Sequence, residues 1–239
     1  MKKATKRLSR REALGVLGAA GAVLSVACSE TPTSPTPTTS TTTPTATPTP
    51  TPTNSTQCVV SPNETVGPYP SRADFFRSDI REGKPGLALV LNMTVVNANN
   101  ACAAVANANV EIWQCDVTGN YSQYGSETSR TYLRGIQTTD ANGRVTFTTI
   151  YPGWYQGRAT HIHVEVTVNG RSVKVTQIAF PEEVSAAVYR TGEYASRGQN
   201  PTTNARDNVF SDGVNEELVA LVGDTTSGYA GTFQIGVAL

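Results

Sequence analysis

The chain is poor in the residues that most often hold metals. Its 239 residues include only two histidines and four cysteines. The cysteines are Cys28, Cys58, Cys102 and Cys115, and none of their spacings resembles a Cys-rich zinc site, so they read as structural. A basic surplus is also missing. Lys and Arg number 19 against 19 Asp and Glu, and six of the basic residues fall in the first 11 positions. Without residues 1–27, 13 basic residues face 18 acidic ones, a net charge of −5. An acidic domain without a basic patch argues against nucleic-acid binding. No apolar stretch reaches the roughly 20 residues that span a bilayer. Helical periodicity is thin throughout, which argues against a helix bundle.

What is present divides the chain into three parts. Residues 1–27 read as an export signal, with Ser9-Arg10-Arg11-Glu12-Ala13-Leu14 as a twin-arginine pattern and a run of small apolar residues up to Ala27. Cys28 stands where a lipoprotein cysteine would stand, so a lipid on it is expected to anchor the mature protein to a membrane. Residues 28–56 are expected to be a disordered, partly polyproline linker. Its stretch 31–56 is almost pure Thr, Pro and Ser and holds seven of the 14 prolines. Fully extended at about 3.1 Å per residue, that stretch would reach about 80 Å. The expected location is therefore outside the cytoplasm, on the cell surface or in the periplasm.

Residues 57–239 make one domain. Alternating or apolar β-type runs cover residues 87–96, 109–115, 135–139, 144–150, 159–168, 172–180 and 229–237. Asp140-Ala141-Asn142-Gly143 marks a turn, and Asn169-Gly170 marks a tight hairpin. A short helix is expected over residues 181–189, with Pro181 in its first turn, and residues 218–222 are ambiguous. The pattern predicts an all-β sandwich of the prealbumin or immunoglobulin type with few short helices. Cys115 lies inside an apolar strand, which favours it as a buried thiol and Cys58–Cys102 as a disulfide. Spacing alone leaves that pairing open.

Both histidines lie in one alternating run, as His161 and His163. Period two sends both imidazoles to one face and Ile162 to the other. Two imidazoles on one face are half a metal site. Glu165 shares that face and reads as outer or exposed. Trp113 and Trp154 read as core or pocket wall. On residue types alone, the pair could also be incidental in a carbohydrate- or protein-binding sandwich, or hold Zn(II) in a hydrolase.

The surrounding stretches resemble the intradiol ring-cleavage dioxygenases, the family of catechol 1,2-dioxygenase and protocatechuate 3,4-dioxygenase, in their exported single-domain branch. The matching runs are Glu64-Thr65-Val66-Gly67-Pro68-Tyr69, then Val110-Glu111-Ile112-Trp113-Gln114 on to Gly119-Asn120-Tyr121. Next come Thr138-Thr139-Asp140-Ala141-Asn142-Gly143, Phe147 to Tyr155, and Arg158-Ala159-Thr160-His161-Ile162-His163. The resemblance implies Fe(III) bound by Tyr121, Tyr155, His161 and His163. It implies that Arg158 stabilises charge on the reacting substrate, and that Gln177 supports the site, though one hairpin residue out of step. Gly67, Pro68 and Tyr69 would edge the pocket. The implied reaction cleaves a catechol with O2 to a cis,cis-muconate-type diacid, with Tyr155 as internal base. The chain departs from the pattern in a short Tyr155–His161 interval, which suggests a more open pocket, and in Pro70 where a second Tyr is common. It lacks the family's helical dimerisation segment, so the oligomeric state and the particular catechol stay open.

Overall fold

The computed structural model describes residues 58–239. The signal and linker assignments for residues 1–56, with the lipid site at Cys28, lie outside the described residues. Among the described residues, nine strands, one short α-helix and three single-turn 3-10 segments follow in chain order. They are β1 (Ala88–Asn97), β2 (Ala103–Ala104), β3 (Asn109–Trp113), β4 (Arg134–Thr138), β5 (Arg144–Ile150), β6 (His161–Val168), β7 (Arg171–Ala179), α1 (Glu182–Val188), β8 (Ala220–Asp224) and β9 (Gly228–Val237).

The strands form the two sheets of a sandwich. One has the order β2-β1-β9-β8, with β5 paired to β1; the other has the order β4-β3-β6-β7. Alternation builds the layer between them. In β1, Leu89, Leu91, Met93 and Val95 are buried, as are Phe233, Ile235 and Val237 of β9. Val110 and Ile112, Ile162, Val164 and Val166, and Ile178 face them from the second sheet, all in one apolar cluster. Each such aliphatic side chain contributes about 1.5–3 kcal/mol when fully buried. β1 and β9 run parallel and pair side by side in this sheet, from Leu89 opposite Tyr229 to Asn97 opposite Val237. The ambiguous stretch at 218–222 becomes the edge strand β8, because β9 offers it an antiparallel partner from Ala220 to Asp224. Pro181 sits one position before α1, as its N-cap, rather than in its first turn.

Two further features position the site. The β6–β7 hairpin turns at Asn169 and Gly170, both at positive φ (50° and 75°), the geometry of a type I′ turn. Residues 58–69 form a strap along the domain. Cys58 is joined to Cys102 by a disulfide, and Cys115 is a buried free thiol. Farther along, Ser61 N donates to Gly236 O at 2.9 Å, the buried Lys174 Nζ donates to Ser61 O at 2.6 Å, and Glu64 N donates to Val175 O at 2.9 Å. Among the described residues, no helix is long and apolar enough to cross a membrane.

Candidate metal centre

Ile162, Val164 and Val166 point into the sandwich core, so His161 and His163 stand on the opposite face of their sheet. Trp113 lies directly across from His163 in the β3–β6 register, and the two rings are parallel (1°) with centroids 4.9 Å apart. The strap backs the same imidazole. A Cβ on Gly67, whose φ is +73°, would sit 2.8 Å from His163 Cε1, so only glycine fits there without movement. His161 is held by its Nδ1, which donates to Ala159 O at 2.7 Å and leaves the Nε2 lone pair facing inward. Burial keeps both rings neutral. His161 is pushed down to about 3 by desolvation and then by the Arg158 charge. His163 lies well below the ordinary value for the same first cause, with His161 and Arg158 adding to it.

The two phenols arrive on separate loops. Asp116 closes the turn after β3: its Oδ1 accepts from Thr118 N at 2.9 Å and Asn120 N at 3.0 Å, which delivers Tyr121. Gly119 in that turn passes so close to the next loop that a Cβ would lie 2.4 Å from Trp154 O. The approach brings Tyr121 and Tyr155 into edge contact, with ring centroids 5.7 Å apart. Tyr69, at the end of the strap, stacks on Tyr121 at 4.6 Å. Tyr121 Oη lies 3.4 Å, Tyr155 Oη 3.5 Å and His163 Nε2 3.2 Å from His161 Nε2. Atoms bound to a common ion at about 2 Å lie roughly 3–3.5 Å apart, so the spacing suits one shared cation. Desolvation holds both phenols above their ordinary pKa, Tyr121 well above; at Tyr155 the Arg158 charge opposes it.

Arg158 sits beside this cluster in a polar network. Its Nε donates to both oxygens of Asp207 (3.0 and 2.8 Å), its Nη2 to Gln177 Oε1 (2.5 Å), and its Nη1 lies 3.5 Å from His161 Nε2. Gln177 in turn donates to Thr65 O of the strap at 2.9 Å. A register shift at Val166/Thr167 in the hairpin places Gln177, not Thr176, opposite His163.

All six residues singled out from the sequence, Tyr121, Tyr155, Arg158, His161, His163 and Gln177, thus meet in one place. Glu165 pairs across from Glu111 and Val175 and does not join them. Sequence reasoning missed Asp207, 49 residues beyond Arg158 in an irregular stretch that carries no periodic signal. It also missed the carbonyl of Thr65 as the anchor of Gln177. Among the described residues, no three His, Cys, Asp or Glu side chains cluster as a metal site. A cation here therefore depends on the phenols, and phenolate is a hard anionic donor that suits Fe(III) better than Zn(II).

The dioxygenase family model (Dioxygenase_C) matches residues 65–189, which include every residue of the cluster. A dioxygenase crystal structure is 30% identical with a TM-score of 0.71, covering 76% of this chain and 95% of its own. An intradiol ring-cleavage dioxygenase from Tetranychus urticae is 29% identical with a TM-score of 0.68, at the same coverage. Catechol 1,2-dioxygenase from Pseudomonas arvilla C-1 shares the fold at 22% identity and a TM-score of 0.55, covering 74% of this chain and 62% of that one. Family match, sandwich architecture and a His-and-Tyr cluster within the matched residues agree: the chain belongs to the intradiol ring-cleavage dioxygenases.

Proposed function

We propose that this protein is an exported, lipid-anchored ferric dioxygenase that cleaves catechol-type aromatics between the two hydroxylated carbons. The observation that carries the reading is the convergence of two phenols and two neutral imidazoles around His161 Nε2, with an arginine at the edge. Tyr121, Tyr155, His161 and His163 would hold the iron. Two tyrosinates cancel two of its three charges, which lowers the cost of keeping the ion in a site this buried. Bound Fe(III) supplies a Lewis acid and an electron sink that make a chelated catechol reactive toward O2. Both oxygen atoms of O2 enter the product, a cis,cis-muconate-type diacid, so no external reductant is consumed.

The chain's own residues have distinct tasks in this scheme. A catechol must shed its protons to chelate. Tyr155 Oη, which lies 3.5 Å from His161 Nε2 at the centre of the donor cluster, is placed to take one. Arg158 Nη1 sets a fixed positive charge beside the donor atoms, where negative charge develops on the ring. Gln177 holds that guanidinium from the strap side. Tyr69 packs on Tyr121 and forms one wall of the site. The Cys58–Cys102 disulfide supports an oxidising compartment, in keeping with export.

The purified protein should bind one iron per chain, show the red to burgundy band of tyrosinate-bound Fe(III), and take up O2 with a substituted catechol. Tyr155→Phe should keep part of the iron, change the colour and slow cleavage; an unchanged spectrum would remove Tyr155 from the metal. A colourless preparation that stays inert after iron reconstitution would overturn the proposal.

A further inference from the structure

We infer that Asp207 is the positioning residue of the site's arginine: a buried carboxylate, supplied from outside the segment matched by the family model, that aims Arg158 at the reacting substrate. The inference rests on the role given to Arg158 above. Asp207 is 1% exposed, and its oxygens accept from Arg158 Nε, from Ala159 N at 2.6 Å and from Val209 N at 2.9 Å. Its backbone N closes the 3-10 turn Asn204–Arg206 onto Asn204 O at 3.2 Å. Asn204 Nδ2 ties that turn to Phe180 O at 3.0 Å, and Phe210 packs with Ala159 and Ala179 in a separate buried cluster. The carboxylate is thus fixed to the start of β6 and the end of β7, the same backbone that carries His161.

Its grip sets the direction of the guanidinium. The five N–H groups of arginine form a rigid planar fork. Asp207 takes the Nε edge and Gln177 takes Nη2, two points that fix the plane and leave Nη1 toward His161 Nε2. No other acid forms an ion pair with Arg158 among the described residues, and the two side chains are 12% and 0% exposed. With Asp207 present, the cation is compensated at its rear edge, and its front edge stays free for a negatively charged substrate. Without it, the guanidinium keeps one neutral acceptor and can swing toward solvent.

The test uses Asp207→Asn, Arg158→Ala and the double variant in the iron-loaded full chain. Asp207→Asn should retain iron and the visible band while kcat falls about 10²-fold, as expected for a misplaced charge, with a smaller change in KM. The double variant should be no slower than Arg158→Ala. Ethylguanidinium should restore activity to Arg158→Ala, because the cradle of Asp207 and Gln177 remains, and should leave the double variant unrestored. The same cation should raise the Tm of iron-free Arg158→Ala but not of the iron-free double variant, a readout independent of turnover. Wild-type kcat in Asp207→Asn beside a slow Arg158→Ala overturns the inference alone. Wild-type kcat in Arg158→Ala removes the role of the arginine, and the inference with it. If Asp207→Asn does not fold, the iron-free Arg158→Ala protein decides: no stabilisation by ethylguanidinium sinks the cradle.

Discussion

The strap's contact with His163 makes Gly67→Ala an informative change. Two costs can be separated. At φ +73° an L-residue costs about 1–2 kcal/mol over glycine. The new methyl would then lie 2.8 Å from His163 Cε1, where ordinary contact begins at 3.4 Å. The imidazole has little room to retreat, because Trp113 stacks on it and its Nε2 faces His161 at 3.2 Å. Overpacking of this kind costs about 1–3 kcal/mol. The sum, about 2–5 kcal/mol, should lower Tm by roughly 5–15 °C for a domain of this size. Under the proposed function, displacing the His163 imidazole by a few tenths of an ångström should also weaken iron binding about 10–100-fold, the usual effect of disturbing a ligand's support. Gly83→Ala is the control. Its φ is +74°, yet nothing lies within 4 Å of the added carbon, so it carries the backbone cost without the clash. Thermal melts and iron titration followed at the visible band would compare the two. Equal Tm losses with unchanged iron affinity in both variants would refute the claim that Gly67 seats His163.

His161→Ala should abolish iron binding, measured by elemental analysis; full occupancy would contradict its place at the metal. Replacing Cys58 and Cys102 by Ser should cost about 4 kcal/mol, from the loop entropy of a 44-residue separation, read as a lower urea midpoint, and should speed hydrogen exchange in the strap. An unchanged midpoint would show that the strap is held without the bridge. Glu217 is fully buried, with Oε2 unpartnered, and is raised to about 7 by desolvation first and then by Glu64. Its folded pKa lies above its unfolded one, so the native state binds the extra proton, and stability should fall as pH rises from about 4.5 through about 7. Over that window the loss is on the order of 3 kcal/mol, and Glu217→Gln should flatten it; an identical slope of Tm against pH in both proteins would exclude Glu217 as its source.

Much of the scaffold was legible in sequence. The Asp140-Ala141-Asn142-Gly143 turn marked β5 at its observed bounds, and Asn169-Gly170 located the β6–β7 turn, because turn chemistry and period-two burial act over a few residues. The shared face of His161 and His163 follows from the same period. Tyr121 and Tyr155 are different. As residues they are loop tyrosines, and only the family resemblance linked them to the histidines. Gln177 shows the limit within one hairpin: an uninterrupted two-residue turn pairs Thr176 with His163, and one register shift replaces it with Gln177.

By itself, the sequence determined the strands other than β2 and β8, which face carries the imidazoles and where the β6–β7 hairpin turns, since each depends on neighbours a few positions away. Tertiary structure alone decided that two loops would close until their phenols met one histidine, that β9 would lie parallel to β1, and that Asp207 would grip Arg158 across 49 residues. Those outcomes follow from packing and from the need to pair buried charge, which couple positions at any separation along the chain and leave no periodic trace in it.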